Sequence, residues 1–185
     1  MNEAKLAQFC IKGNNEGRKE LYECFARQMM GICFRYTADE EISHDLLHDG
    51  FIKVFESIAS FQYRGEGSLK AWMSKIFVNT ALEYLRKKKN QKEYVNIDEI
   101  NEALVFEESE ESDKIPKQVL MGFVSELPDG YRTVFNLYVI EEFSHKEVSE
   151  KLGISESSSR SQLARAKSAL NQKVKEYMKL HSSTL

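Results

Sequence analysis

FSHKEVSEKLGISESSSRSQLARAKSAL, residues 143–170, decides the fold of the second half of the chain. Ser144–Leu152 has helical spacing, and Gly153 breaks it. A glycine there admits the left-handed backbone that joins two crossing helices. A second helix follows, with Ser155 as its N-cap and Glu156 at its positive end. Ser159, Leu163, Ala166 and Leu170 fall on its inward side. Ser157, Ser158, Ser161, Gln162 and Arg165 fall on its outward side, with Arg160 and Lys167 flanking them. Small polar residues near the N-terminus of such a helix let it lie close in a major groove. Arg165 suits bidentate pairing with guanine and Gln162 pairing with adenine, while Arg160 and Lys167 suit phosphates. Turn, cap, inward stripe and outward polar face together predict a helix-turn-helix.

The rest of the chain also reads as helix. Leu127-Pro128-Asp129 opens a helix, proline being tolerated in a first turn. Earlier, Glu16–Tyr36 carries Leu21, Phe25, Met29, Ile32 and Phe34 at three- and four-residue steps. Asp39–Ser60 has an acidic first turn. The loop FQYRGEGS, residues 61–68, interrupts the pattern, and Ser68 stands where an N-cap would precede a helix over Leu69–Lys89. No stretch alternates as a strand, so the expected class is all-α, as two small helical domains.

The 185 residues are 42% hydrophobic and 30% charged, with 2 Pro and 9 Gly. That supports a buried core and argues against collagen-like or turn-rich β architectures. No apolar run is long enough to span a bilayer, so no membrane insertion is expected. The N-terminus lacks a signal-peptide pattern. Cys10, Cys24 and Cys33 have no paired spacing and are expected to be buried thiols in a reducing cytoplasm.

The net charge of −3 is an average over opposed blocks. Residues 70–92 sum to +6, residues 93–113 to −9, and residues 144–179 to +4. A like-charge block with few apolar anchors reads as a solvated linker, although Ile97, Ile100, Leu104 and Phe106 are spaced for a short amphipathic turn. The expected organisation is a domain over 1–90, an acidic linker over 91–114, a second domain over 115–179 and a tail over 180–185.

At about 100° per residue the helix Asp39–Ser60 has two faces. Leu47, Phe51, Val54, Phe55 and Ile58 make a core side, while Asp45, Asp49, Ile52 and Glu56 lie opposite. That second stripe is either a solvated face with one stray apolar residue or a docking face anchored by Ile52. His44 and His48 have the spacing of a helical metal pair, but HDLLHD lacks the glutamate of HExxH, and only His145 and His181 remain elsewhere. No metal and no catalytic site are expected, and a metal-dependent hydrolase is the weakest reading. In the next helix Leu69, Trp72, Met73 and Ile76 form an apolar stripe. Lys75, Asn79, Glu83 and Arg86 share another sector, and the helix ends in Arg86-Lys87-Lys88-Lys89. The loop before it offers Phe61, Tyr63 and Arg64. Rings and cations on a loop suit single-stranded nucleic acid, and hydrophobic packing of Phe61 and Trp72 is the alternative.

Two long blocks carry a resemblance. DLLHDGFIKVFESIASFQYRGEGSLKAWMSKIFVNTALEYLRKKK and LPDGYRTVFNLYVIEEFSHKEVSEKLGISESSSRSQLARAKSAL, in this order, resemble bacterial sigma factors of the extracytoplasmic-function type. That family has sigma region 2 and sigma region 4 joined by a variable linker. The resemblance implies a non-enzymatic, cofactor-free subunit that directs RNA polymerase to promoters. It implies that Asp45, Asp49, Ile52 and Glu56 dock on the β′ clamp helices. It assigns Phe61, Tyr63, Arg64, Lys75, Asn79, Glu83, Arg86 and Lys87 to the minus-ten element. Ser157, Ser158, Arg160, Ser161, Gln162, Arg165 and Lys167 go to the minus-thirty-five element. A β-flap contact for region 4 and an anti-sigma factor are further implied partners. This chain departs from the family in having His48 where Gln is frequent, Val78 and Gln162 where Arg is common, and Ser159 where Val is usual. A stand-alone helix-turn-helix regulator is the competing reading, but a sensor domain has no use for the basic, aromatic first domain.

Overall fold

The computed structural model describes residues 2–91 and 115–181, the side chains of 89–91 excepted. The acidic linker, its amphipathic turn and the last residues of the tail lie outside these. The chain divides into two units, Met1–Lys92 and Glu93–Leu185. Both are helical, and no strand occurs among the described residues.

The first unit holds α1 (Glu3–Ile11), α2 (Asn15–Thr37), α3 (Glu40–Ser57), a 3-10 turn (Ile58–Ser60) and α4 (Ser68–Gln91). The predicted stripe on α2 becomes its buried side: Leu21, Phe25, Met29 and Ile32, joined by Cys33 and Tyr36. Phe34, expected on that stripe, is exposed, because the two turns around it already bury Cys33 and Tyr36. Cys24 is also exposed and so is not the buried thiol expected, since it lies beside Tyr22 and Glu23 on the outer side. Cys10 and Cys33 are buried, and burial pushes the Cys33 thiol up to about 12.

Each corner is closed by a side chain. Asn2 and Asn14 cap α1 and α2, and Asp39 caps α3 by accepting from the Ile42 N–H at 3.0 Å. Such caps satisfy N–H groups that have no partner within their helix. Between α2 and α3, Ala38 takes a left-handed φ of 51°, and the Thr37 and Ser43 hydroxyls meet at 2.6 Å.

The centre of the unit is a contact between α3 and α4. The Phe77 ring packs edge-on against Phe51 at 5.3 Å and lies directly over Gly50, where any Cβ would overlap it. Leu46, Leu47 and Val54 complete the buried side of α3, with Ile58 buried in the 3-10 turn. On α4, Leu69 and Met73 are buried as expected, and the stripe continues through Phe77, Val78, Ala81 and Leu82. Val78 therefore faces the core.

The second unit holds α5 (Lys117–Ser125), α6 (Asp129–Phe135), a π-helical turn (Asn136–Ile140), α7 (His145–Leu152) and α8 (Glu156–His181). Val124, Leu127, Val134, Leu137, Val148, Leu163, Ala166 and Val174 are buried. Arg132 is buried among them and donates to Leu127 O at 2.6 Å, Ser125 O at 3.1 Å and Asp129 Oδ1 at 2.5 Å. A buried guanidinium is tolerated when its donors are met. Here they close the turn from α5 to α6.

The glycine contacts give a paired prediction. Gly50→Ala forces a Cβ into the Phe77 ring and should destabilise the chain by about 1–3 kcal/mol. Gly31, on α2, would place a Cβ in open space, and Gly31→Ala should stabilise by roughly 0.5–1 kcal/mol through helix propensity. Denaturant unfolding of both variants against the parent checks the opposite signs.

Candidate nucleic-acid interface

The outward stripe of α3 is real. Asp45, Asp49, Ile52 and Glu56 are all exposed, and Ile52 keeps 55% of its surface accessible. His44 and His48 are exposed as well. Among the described residues no three His, Cys, Asp or Glu groups gather to hold a metal ion.

On α4, Lys75, Asn79, Glu83, Arg86 and Lys87 are exposed. Glu83 accepts from Lys53 of α3 at 2.6 Å, with both side chains part-exposed. A groove runs between the two helices, lined by Lys53, Glu56, Ser57, Ile76, Asn79, Thr80 and Glu83. The hydroxyls of Ser57 and Thr80 donate to carbonyls of their own helices, so toward the groove they offer acceptors. The acidic face and the basic sector, read separately along the sequence, thus meet edge to edge at Glu56. Lys53 was missed because its partner is 30 residues away.

The loop 61–67 splits its aromatic residues. Tyr63 and Arg64 are exposed, whereas Phe61 is buried with its ring 5.3 Å from Trp72. Phe61 is therefore a packing residue that anchors the loop, and Tyr63 is the ring left exposed on it. Ser68 is not the N-cap it was expected to be. It is the first residue of α4, where its hydroxyl donates to Gly65 O at 2.6 Å and accepts from the Arg64 N–H at 3.2 Å. The acceptor at this helix end comes from α1: Glu3 Oε2 takes the Gly67 N–H at 2.8 Å and the Leu69 N–H at 3.3 Å.

In the second unit Ser144 and Glu147 form a reciprocal capping box on α7, and Gly153 ends that helix with φ 63°. The hydrogen bonds from Ser144 hold the Glu147 carboxyl below its ordinary range. Ser155 caps α8 by accepting from the Ser158 N–H at 3.0 Å. The inward side is as predicted for Ser159, Leu163 and Ala166, which are buried, with Leu170 half-buried. Outward, Ser157, Arg160 and Ser161 are exposed, while Ser158, Gln162, Arg165 and Lys167 are half-buried. Arg160 pairs with Glu156 at 2.7 Å. Gln162 leans over Gly130, where a Cβ would lie 2.9 Å from its Oε1. Arg165 donates to the Tyr131 hydroxyl at 3.4 Å, so a residue of α6 orients its guanidinium.

Ser159, at a position usually held by valine, is fully buried yet satisfied. Its hydroxyl lies 2.9 Å from His145 Nδ1, and the His145 ring stacks on Tyr138 at 4.3 Å. One imidazole thus ties α7, α8 and the π-helical turn together.

Comparison with known proteins follows this division. Residues 21–91 match Sigma-70 region 2, and residues 117–170 match Sigma-70, region 4. The chain is similar to "ECF RNA polymerase sigma factor SigM" of Bacillus subtilis, at 31% identity over 154 residues covering 82% of this chain and 91% of that one. It is similar to "ECF RNA polymerase sigma-E factor" of Haemophilus influenzae, at 24% identity over 96% of this chain and 98% of that one. Among solved structures it is similar to the sigma factor RpoE from Bartonella quintana, solved with the anti-sigma factor NepR. The TM-score there is 0.47 at 18% identity, over 85% of this chain and 96% of that one. The chain belongs to the extracytoplasmic-function (ECF) sigma factors of the sigma-70 family, the alternative sigma factors that direct transcription initiation.

The His145–Ser159 pair yields a pH prediction. Burial, then the charge of Arg160, holds the His145 pKa below its ordinary value, with Glu156 opposing. The neutral ring is thus favoured in the folded state and the cation in the unfolded state. Its contribution is complete above about pH 6.5 and is lost as pH falls through the depressed folded value. As pH falls from about 6.5 toward the depressed folded value, the parent should lose stability more steeply than His145→Gln, as read by denaturant midpoints from pH 7.5 to 5.

Proposed function

We propose that this sigma factor binds core RNA polymerase through Asp45, Asp49, Ile52 and Glu56, captures the melted minus-ten strand with its first unit, and reads the minus-thirty-five duplex with its second. The observation that carries the reading is the division of exposed chemistry. An apolar residue ringed by carboxylates on α3 suits a basic, helical protein surface such as the β′ clamp helices. The exposed Tyr63, Arg64, Lys75, Asn79, Arg86 and Lys87 suit an unstacked strand, with rings for bases and cations for phosphates. The outward side of α8 suits a major groove. Glu83 is paired with Lys53, which limits its repulsion of phosphate. Phe61 contributes to this interface only by fixing the loop.

The chain does no chemistry of its own on this reading, and works where the polymerase is, in the cytoplasm. Units engaged at two promoter elements on one polymerase raise the effective concentration for each other. The nine acids of residues 93–113 oppose stray DNA contacts. An anti-sigma factor would cover the same α3 and α4 surfaces, and region 4 would meet the β flap.

Transcription in vitro with core polymerase tests the whole. Initiation at defined promoters only when the chain is added supports the reading. A chain that binds promoter DNA alone and never associates with core overturns it in favour of a stand-alone regulator. Within the reading, Arg165→Ala should weaken upstream-duplex binding by about 1–3 kcal/mol and leave core association unchanged, as measured by fluorescence anisotropy against each partner.

A further inference from the structure

Helix α1 precedes residue 21, where the match to Sigma-70 region 2 begins. It is nonetheless built into the first unit. Leu6, Ala7 and Cys10 are buried, and α1 lies so close to α2 that a Cβ on Gly17 would come within 2.6 Å of the Phe9 Cβ. Its first turn carries Glu3, whose Oε2 accepts from both Gly67 N–H and Leu69 N–H. These amides stand at the start of α4, where backbone donors lack helical partners and a negative charge is favoured.

The segment held in this way is not regular. Gly65 and Gly67 have φ of 113° and 84°, and the Ser68 hydroxyl donates to Gly65 O and accepts from the Arg64 N–H. Tyr63 and Arg64 therefore project from a turn whose far end is fixed by a residue 64 positions away. A strand that binds Tyr63 and Arg64 must find them ordered or bear the cost of ordering them.

We infer that α1 braces the loop 61–68 for strand capture and that Glu3 is the positioning residue through which it acts. The inference rests on the strand-reading role proposed for that loop. Glu3 itself touches no DNA. It lowers the ordering cost by holding the turn in one form, and within the first unit its hydrogen bonds go to the Gly67 and Leu69 amides rather than to α3.

The test uses the full chain with core polymerase. The probe is a labelled single-stranded DNA carrying the non-template strand of a promoter that the wild-type chain and core transcribe. Glu3→Ala should bind this strand about tenfold more weakly, the scale of one hydrogen bond to a charged group. It should speed hydrogen exchange at the Gly67 and Leu69 amides and leave affinity for core and for upstream duplex unchanged. Glu3→Gln, which keeps an acceptor oxygen, should recover to within about threefold of wild type. Glu3→Ala that captures the strand as wild type does, or that loses core affinity in the same proportion, overturns the inference. Wild-type chain that initiates with core yet captures no strand overturns the loop's role and the inference with it, a result read without any variant.

Discussion

The Phe77 ring occupies the space that any side chain on residue 50 would need. That contact governs what α3 and α4 can do elsewhere. Each helix buries one side and keeps a second, charged side exposed. An α-helix ordinarily gives up a stripe about 100° wide to its core. Letting the ring sit directly on backbone brings the helices close and keeps the seam narrow. It also helps set their register, in which Lys53 of α3 reaches Glu83 of α4 at 2.6 Å. The acidic face of α3 and the basic sector of α4 remain outside, sharing one groove as a border.

The second unit solves a different problem. Small helical units bury few apolar side chains, so polar groups that are fully bonded carry more of the burden of specifying one arrangement. Arg132 closes the α5–α6 turn through carbonyls, the Ser144–Glu147 box starts α7, and His145 gives the buried Ser159 a partner. Ser159 shows how a departure from the family pattern is absorbed. A buried hydroxyl without a partner is costly, and the histidine that meets it is itself stacked on Tyr138.

Helical periodicity made α2, α3, α4 and the α7–Gly153–α8 turn legible, because their apolar residues recur over several turns and their caps are local. Helices α1 and α5, nine residues each, give too few turns for a pattern to stand out, and the eight-residue α7 was legible by its Ser144 start and Gly153 stop rather than by periodicity. The loop aromatics show a second limit. Phe61 and Tyr63 are alike by composition, and only the presence of Trp72 beside one of them decides which is core. Cys24 failed for a similar reason: residue type favours burial, but its place on α2 does not. Long-range partners were not readable at all. Glu3 with Gly67 and Lys53 with Glu83 are joined by the fold rather than by spacing, and Ser68, a good cap by type, is displaced from that role by Glu3.

The border between the α3 and α4 faces has an electrostatic consequence under the proposed assignment. Glu56 belongs to the docking stripe yet lines the same groove as Asn79. Unit charges interact over roughly a Debye length, about 8 Å at physiological ionic strength. A carboxylate in that groove therefore acts on a phosphate near Asn79 as well as on the polymerase. On that assignment Glu56 would repel the strand while α3 is free. A basic surface covering α3 would match that charge and lessen the repulsion, so docking on core would favour strand capture through charge alone. By linkage the strand must favour docking to the same degree. The net charge of −3 conceals this arrangement. Under that assignment, opposite charges set on neighbouring helices would let one partner prepare the surface that the other uses.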